Sequence, residues 1–428
     1  MRRMASRAIG LLLAAGLLFV GSSTIRAGES GEADRGEPQQ VYARTPDKLV
    51  PYSRSGNPYR QFYLTAPVFR GEGREGADPA GVSTVRIGLL APLHDSPDVA
   101  AGSSLRRGVE LALDEANHQG AYQGIPFELV LKNDQALWGS SSNTLVELAY
   151  TDRVWAVIGS VDPNSTHVAL RVALKTELPI VNVGSTDPTM TETGIPWIVR
   201  ITPDDRQSGY RIASLIFEEK GLSRVAVIRS SDRYGRFGIK EFRDGARRLG
   251  RPLPMELLVN LGQRDFSSQL DRLADSGAEA VVLWVKAAEA GRIVRQMAER
   301  GMNLPVVGTD RIVSEEFLEL AGEAGEGAEA AFWMNPGRQD PGWLGFTRRY
   351  RERFGADPDA FAAYGYDAAR LVFETVRTQG LNRARIRDGL SAVREYDGVT
   401  GTIHLDATSN NVSPVVIAKV VGGRFVFR

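Results

Sequence analysis

Cysteine is absent from all 428 residues of the chain. Its absence excludes disulfides, thiolate zinc sites, cysteine nucleophiles and anchoring through a lipidated cysteine. Histidine is scarce, with His94, His118, His167 and His404 scattered singly, which limits metal and triad chemistry. Neither sign of charge prevails: 52 basic residues balance 52 acidic ones, so nothing global draws the chain to nucleic acid or an anionic membrane. The N-terminal apolar run from Ala8 to Val20 falls short of the roughly 20 residues that span a bilayer. Two catalytic signatures are missing as well. A dinucleotide enzyme wants G-x-G-x-x-G after its first strand, where this chain has "GLLAPLHDSPDVAAG", and neither "GSVDP" nor "GSTDP" makes the G-x-S-x-G elbow of a hydrolase.

What the chain does carry begins with Arg2, Arg3 and Arg7 ahead of that apolar run, then small residues ending at Ala27. This order reads as a secretory signal peptide over residues 1–27, which implies an exported, periplasmic mature protein. Residues 28–81 form an extension rich in Gly, Pro, Arg and Glu. Its Tyr52, Tyr59, Phe62, Tyr63 and Phe69 make it either a strap onto the folded body or a loosely ordered linker.

From Ser83 onward, β-branched runs alternate with amphipathic stretches. "TVRIGLLAPL", "FELVLKND", "VWAVIGS" and "LPIVNVG" read as strands, and "SLRRGVELALDEANHQG", "NTLVELAYTD" and "STHVALRVALKTE" as the helices between them. A second run restarts with "SRVAVIRSS", "GRFGIKEFRDGARRLG", "AVVLWVK", "AAEAGRIVRQMAERG" and "LPVVGTD", and the C-terminal stretch from Val399 reads as hairpins. Parallel strands need helical crossovers of one hand, so the expected fold is α/β, with two doubly wound three-layer lobes joined by a hinge. The expected division is 82–203 plus about 335–395 for one lobe, and 204–334 plus about 396–428 for the other. Two lobes in one chain enclose a cleft, a favoured place for a ligand.

In such sheets ligands sit beyond the carboxyl ends of the strands, against unpaired helix N-termini. "IGSVDPNSTH" offers Pro163, Asn164 and Ser165 at one strand end, and "GSTDPTM" offers Gly184, Ser185 and Thr186 at the next. Each loop either caps its helix or, with its neighbour, makes a neutral cradle of hydroxyls and N–H groups for a carboxylate. In the second run, Tyr234 in "SSDRYGR" and Asp310 in "VVGTDRIVS" also follow strands. The tyrosine reads as buried structure or ligand cover, the aspartate as helix cap or partner of an ammonium. Trp138 in "DQALWGS" reads as cleft rim or packing.

"VRIGLLAPL" with its helix, "VIGS" followed by "NST", "GSTDP", "DRYGR" and "GTD", in this order from about Val85 to the C-terminus, resemble the leucine/isoleucine/valine-binding protein family, the type I periplasmic substrate-binding proteins of ABC importers. The resemblance implies a cleft that closes on an amino acid or a related amide or organic acid, which is then delivered to an ABC permease in the membrane. It implies a carboxylate seated on Gly184, Ser185 and Thr186 with help from Pro163 to Ser165, Tyr234 as the second lobe's aromatic, and Asp310 as partner of the amino group. Pro163 replaces a usual serine, Ala101 stands where an aromatic is common, and Lys286 replaces another aromatic. A Lys286 that faces the cleft favours a ligand with an additional acceptor or acid; otherwise it is a solvated lysine at a strand end. No catalysis, cofactor, metal or nucleic acid is expected, and the chain is expected to act as a monomer. A ligand sensor of the same fold acting on a receptor or regulator is the alternative, with an α/β enzyme behind it.

Overall fold

The computed structural model describes residues 73–428 apart from Ala136; the stretch read as a signal peptide, most of the extension and the side chain of Trp138 lie outside the described residues. The chain first alternates β1 (Val85–Ala91), α1 (Val99–His118), β2 (Phe127–Asn133), α2 (Trp138–Val146), β3 (Val157–Gly159), α3 (Pro163–Thr176), β4 (Ile180–Asn182), α4 (Thr189–Glu192) and β5 (Ile198–Arg200). It continues through α5 (Asp205–Ser214), β6 (Val225–Ser230), α6 (Arg233–Arg248), β7 (Met255–Val259), α7 (Ser267–Asp275), β8 (Ala280–Trp284), α8 (Ala287–Glu299), β9 (Val306–Gly308), α9 (Glu315–Ala321) and β10 (Glu329–Phe332). The last part holds α10 (Pro341–Phe354), α11 (Ala360–Gln379), α12 (Arg383–Ala392), β11 (Glu395–Gly398), β12 (Gly401–His404), β13 (Val416–Val421) and β14 (Arg424–Phe427).

The first sheet runs β2-β1-β3-β4-β5, parallel throughout. Its order reverses direction at β1, the mark of a doubly wound sheet. The second runs β14-β13-β10-β9-β8-β6-β7, with β6 to β10 parallel and the C-terminal hairpin added antiparallel at one edge. Central strands such as β8, Ala280–Trp284, are buried at every position, as expected of strands covered by helices on both faces. The chain passes between the sheets three times: from β5 to α5, from β10 to α10, and from β12 to β13. The third passage follows the β11–β12 hairpin, because Val399, Ile403 and Leu405 pack in the first core.

Helices α1 and α11 cover one face of the first sheet and touch backbone to backbone. A Cβ on Gly108 would lie 1.9 Å from the carbonyl oxygen of Ala362, and one on Gly365 would lie 2.7 Å from that of Leu105. Glycine at both positions allows this approach. Gly108→Ala therefore forces the helices apart and costs about 1–3 kcal/mol, as overpacked interiors do. Urea unfolding of the variant against the parent reads the loss directly, and an unchanged midpoint refutes the packing.

A buried charged network sits at the passages. Arg200 donates to Asp204 Oδ2 at 2.6 Å, to Asn410 Oδ1 at 2.7 Å and to the Asp187 carbonyl at 2.5 Å. Arg206 also pairs with Asp204, at 2.7 Å. Burial alone would raise the Asp204 pKa, but Arg206 and Arg200 outweigh it and hold the carboxylate below its ordinary value. Asn411 donates to the Ile201 carbonyl at 2.6 Å and Gln207 to the Asn411 carbonyl at 2.6 Å. The first and third passages are thus stitched together side by side.

Candidate functional site

Three loops of the first lobe and three of the second converge where their strands end. In the first lobe, Asp162 caps α3 by accepting from the Ser165 backbone N–H at 2.9 Å, which seats Pro163 in the first turn. A proline there removes no helical hydrogen bond, but it offers no N–H to a ligand either. Ser165 is fully buried, and its hydroxyl has no protein partner. Asn164 is half-buried beside it.

The loop after β4 turns at Gly184, whose φ of +102° and whose close neighbours exclude a side chain: a Cβ would lie 2.7 Å from Val161 and 2.8 Å from Phe361. Of the two hydroxyls that follow, Ser185 donates to Met190 Sδ at 3.4 Å and so turns into the lobe. Thr186 is fully buried, and its hydroxyl makes no hydrogen bond of acceptable geometry.

The second lobe answers with Tyr234, which caps nothing and packs instead with its ring near Trp284, 6.5 Å between centroids. Its hydroxyl lies 2.5 Å from Thr309 Oγ1 and donates to Asp310 Oδ1 at 2.9 Å. Burial pushes the Asp310 carboxyl up, only partly offset by Arg311 and the Tyr234 hydroxyl. The other carboxyl oxygen of Asp310 lies 3.2 Å from Arg311 Nε, in an ion pair whose geometry falls short of a hydrogen bond.

Sequence reasoning passed over Asp205, the first residue of α5. It is fully buried, its backbone N–H donates to the Thr186 carbonyl at 2.9 Å, and neither carboxyl oxygen has a hydrogen bond of good geometry. Burial and then the neighbouring Asp310 push its pKa well above the ordinary carboxylate value, with the nearby Thr186 hydroxyl opposing them. A carboxyl buried with so little hydrogen bonding is costly and marks a place where a cation would be welcome. Arg311 was passed over too. Its Nη2 reaches across to the carbonyls of Val161 and Gly184, both at 2.9 Å, and its guanidinium lies 5.2 Å from the Phe361 ring and 5.6 Å from that of Tyr234.

Lys286 faces the cleft. Its Nζ donates to Asp98 Oδ2, on the loop before α1, at 2.6 Å, and both side chains are largely covered. Burial lowers the Lys286 pKa, but Asp98 and Asp162 more than restore it, leaving it raised. Asp162 is pushed up to about 6, chiefly by burial. A further tie joins Arg233 to Asp187, with Arg233 also donating to Thr189 Oγ1 at 2.5 Å.

Of the expected residues, the fold therefore gathers Ser165, Gly184, Thr186, Tyr234, Lys286 and Asp310 at one interlobe surface. Pro163 and Asn164 stand at its edge, and Ser185 is turned away. Ser185 hydrogen-bonds Met190 Sδ while the hydroxyl of the adjacent Thr186 lies near Asp205, a difference that a hydroxyl count along the sequence does not reveal. Asp205 gave no signal because it lies in a passage between lobes rather than at the end of a predicted strand. With the two-sheet architecture and the cleft between them described, comparison with known proteins decides the kinship: a family model described as periplasmic binding protein matches residues 84–424.

The chain belongs to the periplasmic binding protein family. A Leu/Ile/Val-binding protein homolog 1 from Brucella suis biovar 1 (strain 1330) is 28% identical over 298 residues, covering 70% of this chain and 79% of that protein. A leucine binding protein from Thermotoga maritima MSB8 superposes with a TM-score of 0.76 at 24% identity, over 80% of this chain and 97% of that one. A solute binding protein of an R. palustris ABC transporter, solved with benzoate, gives 0.73 at 18% identity, over 80% and 95%. The resemblance read from the sequence to the leucine/isoleucine/valine-binding proteins is borne out, as is the α/β fold of the type I periplasmic binding proteins. Family members of this kind are substrate-binding proteins rather than enzymes. No helix among the described residues is long and apolar enough to cross a membrane.

Proposed function

We propose that the protein is an extracytoplasmic solute-binding protein that captures a small amino-acid-like ligand between its lobes and delivers it to an ABC-type permease. The observation that carries this reading is the pair of buried carboxyls Asp205 and Asp310, with the Thr186 hydroxyl close to Asp205 and the buried Ser165 hydroxyl without a protein partner. These groups suit the two ends of a zwitterion: the ammonium goes to Asp205 and Asp310, with the Thr186 hydroxyl beside Asp205, and the carboxylate to Ser165 and the α3 N-terminus. Tyr234 holds Asp310 in place and covers the ammonium with its ring. Export, a periplasmic location and a permease partner fit the family, whose members bind ligands as different as leucine and benzoate in the relatives named above.

A thermal-shift screen of the mature protein against amino acids, amides, ureas and small organic acids tests the reading. A ligand at 100 times its Kd adds about 2.7 kcal/mol to the folded state. The expected result is a rise in melting temperature with α-amino acids and none with their N-acetyl or methyl-ester forms. A protein indifferent to every compound with an α-ammonium and an α-carboxylate does not have this function.

A further inference from the structure

Beyond the groups suited to a zwitterion, four charged side chains meet where the lobes face each other. Asp98 and Asp162 come from the first lobe, Lys286 and Arg311 from the second, and each lies close enough to feel the charge of others in the set. Their hydrogen-bonding capacity is only partly used. Asp98 accepts from Lys286 through Oδ2, and Asp162 accepts from the Ser165 N–H through Oδ1. Arg311 engages the protein through Nη2 and Nε, and its Nη1 donors have no protein hydrogen-bond partner among the described residues. Lys286 spends one hydrogen bond of a possible three.

We infer that the ligand carries a primary amide, as in glutamine or asparagine, whose carbonyl accepts from Arg311 and Lys286 while its NH2 group donates to Asp98 or Asp162. This inference rests on the amino-acid-binding reading of the same cleft and names the class of amino acid. The argument is one of matching. An aliphatic side chain seated against these four largely buried charges would return no hydrogen bond to their unused donors and acceptors, which disfavours the branched-chain class. A carboxylate side chain gains from Arg311 and Lys286 but is set against Asp98 and Asp162, and an ammonium side chain meets the converse conflict. With Asp310, the ion-pair partner of Arg311, taken up by the ligand's ammonium, Lys286 and Arg311 balance Asp98 and Asp162, and a neutral group that both donates and accepts satisfies all four. Arg311 is the specificity-determining residue in this account. It comes from the turn after β9, spans the cleft to the first lobe, and stacks between Phe361 and Tyr234, so its position is held on three sides.

The test measures Kd by titration calorimetry for L-glutamine, L-asparagine, L-glutamate, L-aspartate, L-leucine and L-valine on the mature protein and on Arg311→Met and Lys286→Met. Glutamine or asparagine is expected to bind the parent most tightly, at least tenfold more tightly than leucine, since each lost hydrogen bond to a charged group is worth roughly ten- to hundredfold. Arg311→Met is expected to cut amide affinity by that factor while improving leucine, and Lys286→Met supports the assignment if Arg311→Met fails to fold. Tightest binding of leucine or valine overturns the inference and leaves the solute-binding function standing. So does tightest binding of glutamate or aspartate. If none of the six amino acids binds, the inference falls together with the amino-acid reading on which it rests.

Discussion

Asp310→Ala lowers affinity for an amino-bearing ligand by about 2–5 kcal/mol, the range for removing one partner of a desolvated charge pair. The loss has two parts. The ammonium forfeits one of its carboxylates, and Tyr234, which donates to Asp310 at 2.9 Å, loses the acceptor that fixes its ring. Calorimetric titration of the variant with its best amino acid gives the loss, and an affinity unchanged by the substitution removes Asp310 from the site. Asp205 extends the prediction to pH. Its buried carboxyl, facing Asp310 first and then Asp204 and Asp187, keeps its proton well above the usual carboxylate range. A carboxyl that holds its proton more tightly folded than unfolded stabilises the fold at low pH, and that contribution drains away as pH rises toward the folded pKa. An arriving ammonium pulls the pKa back down. Binding therefore releases protons, the observed enthalpy varies with the ionisation enthalpy of the buffer, and affinity rises with pH until the carboxyl is already ionised. Asp205→Asn abolishes that buffer dependence.

The second large effect concerns the fold itself. Arg200→Met destabilises the protein by about 3–5 kcal/mol, the usual cost of breaking a buried ion pair by removing one partner. Arg200 is completely buried and serves Asp204, Asn410 and the Asp187 carbonyl together. Arg206 continues to neutralise Asp204 in the variant, so the loss falls mainly on Asn410 Oδ1, left buried and unsatisfied, and on the Asp187 carbonyl, which keeps only the Met190 N–H at 3.3 Å. Equilibrium unfolding in urea measures it, and a loss below about 1 kcal/mol, the level of an exposed pair, contradicts the account.

The architecture was legible because its strands are covered on both faces. Runs such as "AVVLWVK" and "VRIGLLAPL" stay apolar without alternation, and the helices between them carry a clear apolar stripe. Elements that escaped the sequence reading lack that signal. β7, Met255–Val259, is an edge strand with Leu258 exposed, and β10, Glu329–Phe332, is built on two alanines and begins with a glutamate. Residues that the structure brings to the interlobe surface are legible where a strand end announces them, as for Thr186, Tyr234 and Asp310. They were unreadable where direction or distance decides. Ser185 was expected to join the cradle but turns to Met190; Arg311 follows Asp310 in the sequence, yet its reach across the cleft depends on a 3₁₀ turn. Lys286 was read as either cleft or solvent, and its pairing with Asp98 requires a contact 188 positions away.

The triple passage between sheets limits how the lobes are free to move. One connection would allow swivel and bend alike, whereas three laid alongside one another, two of them clipped by Arg200, Asn410 and Asn411, leave a single easy axis, that of a door on its jamb. Any opening and shutting of the lobes then sweeps the same arc, whichever solute lies between them.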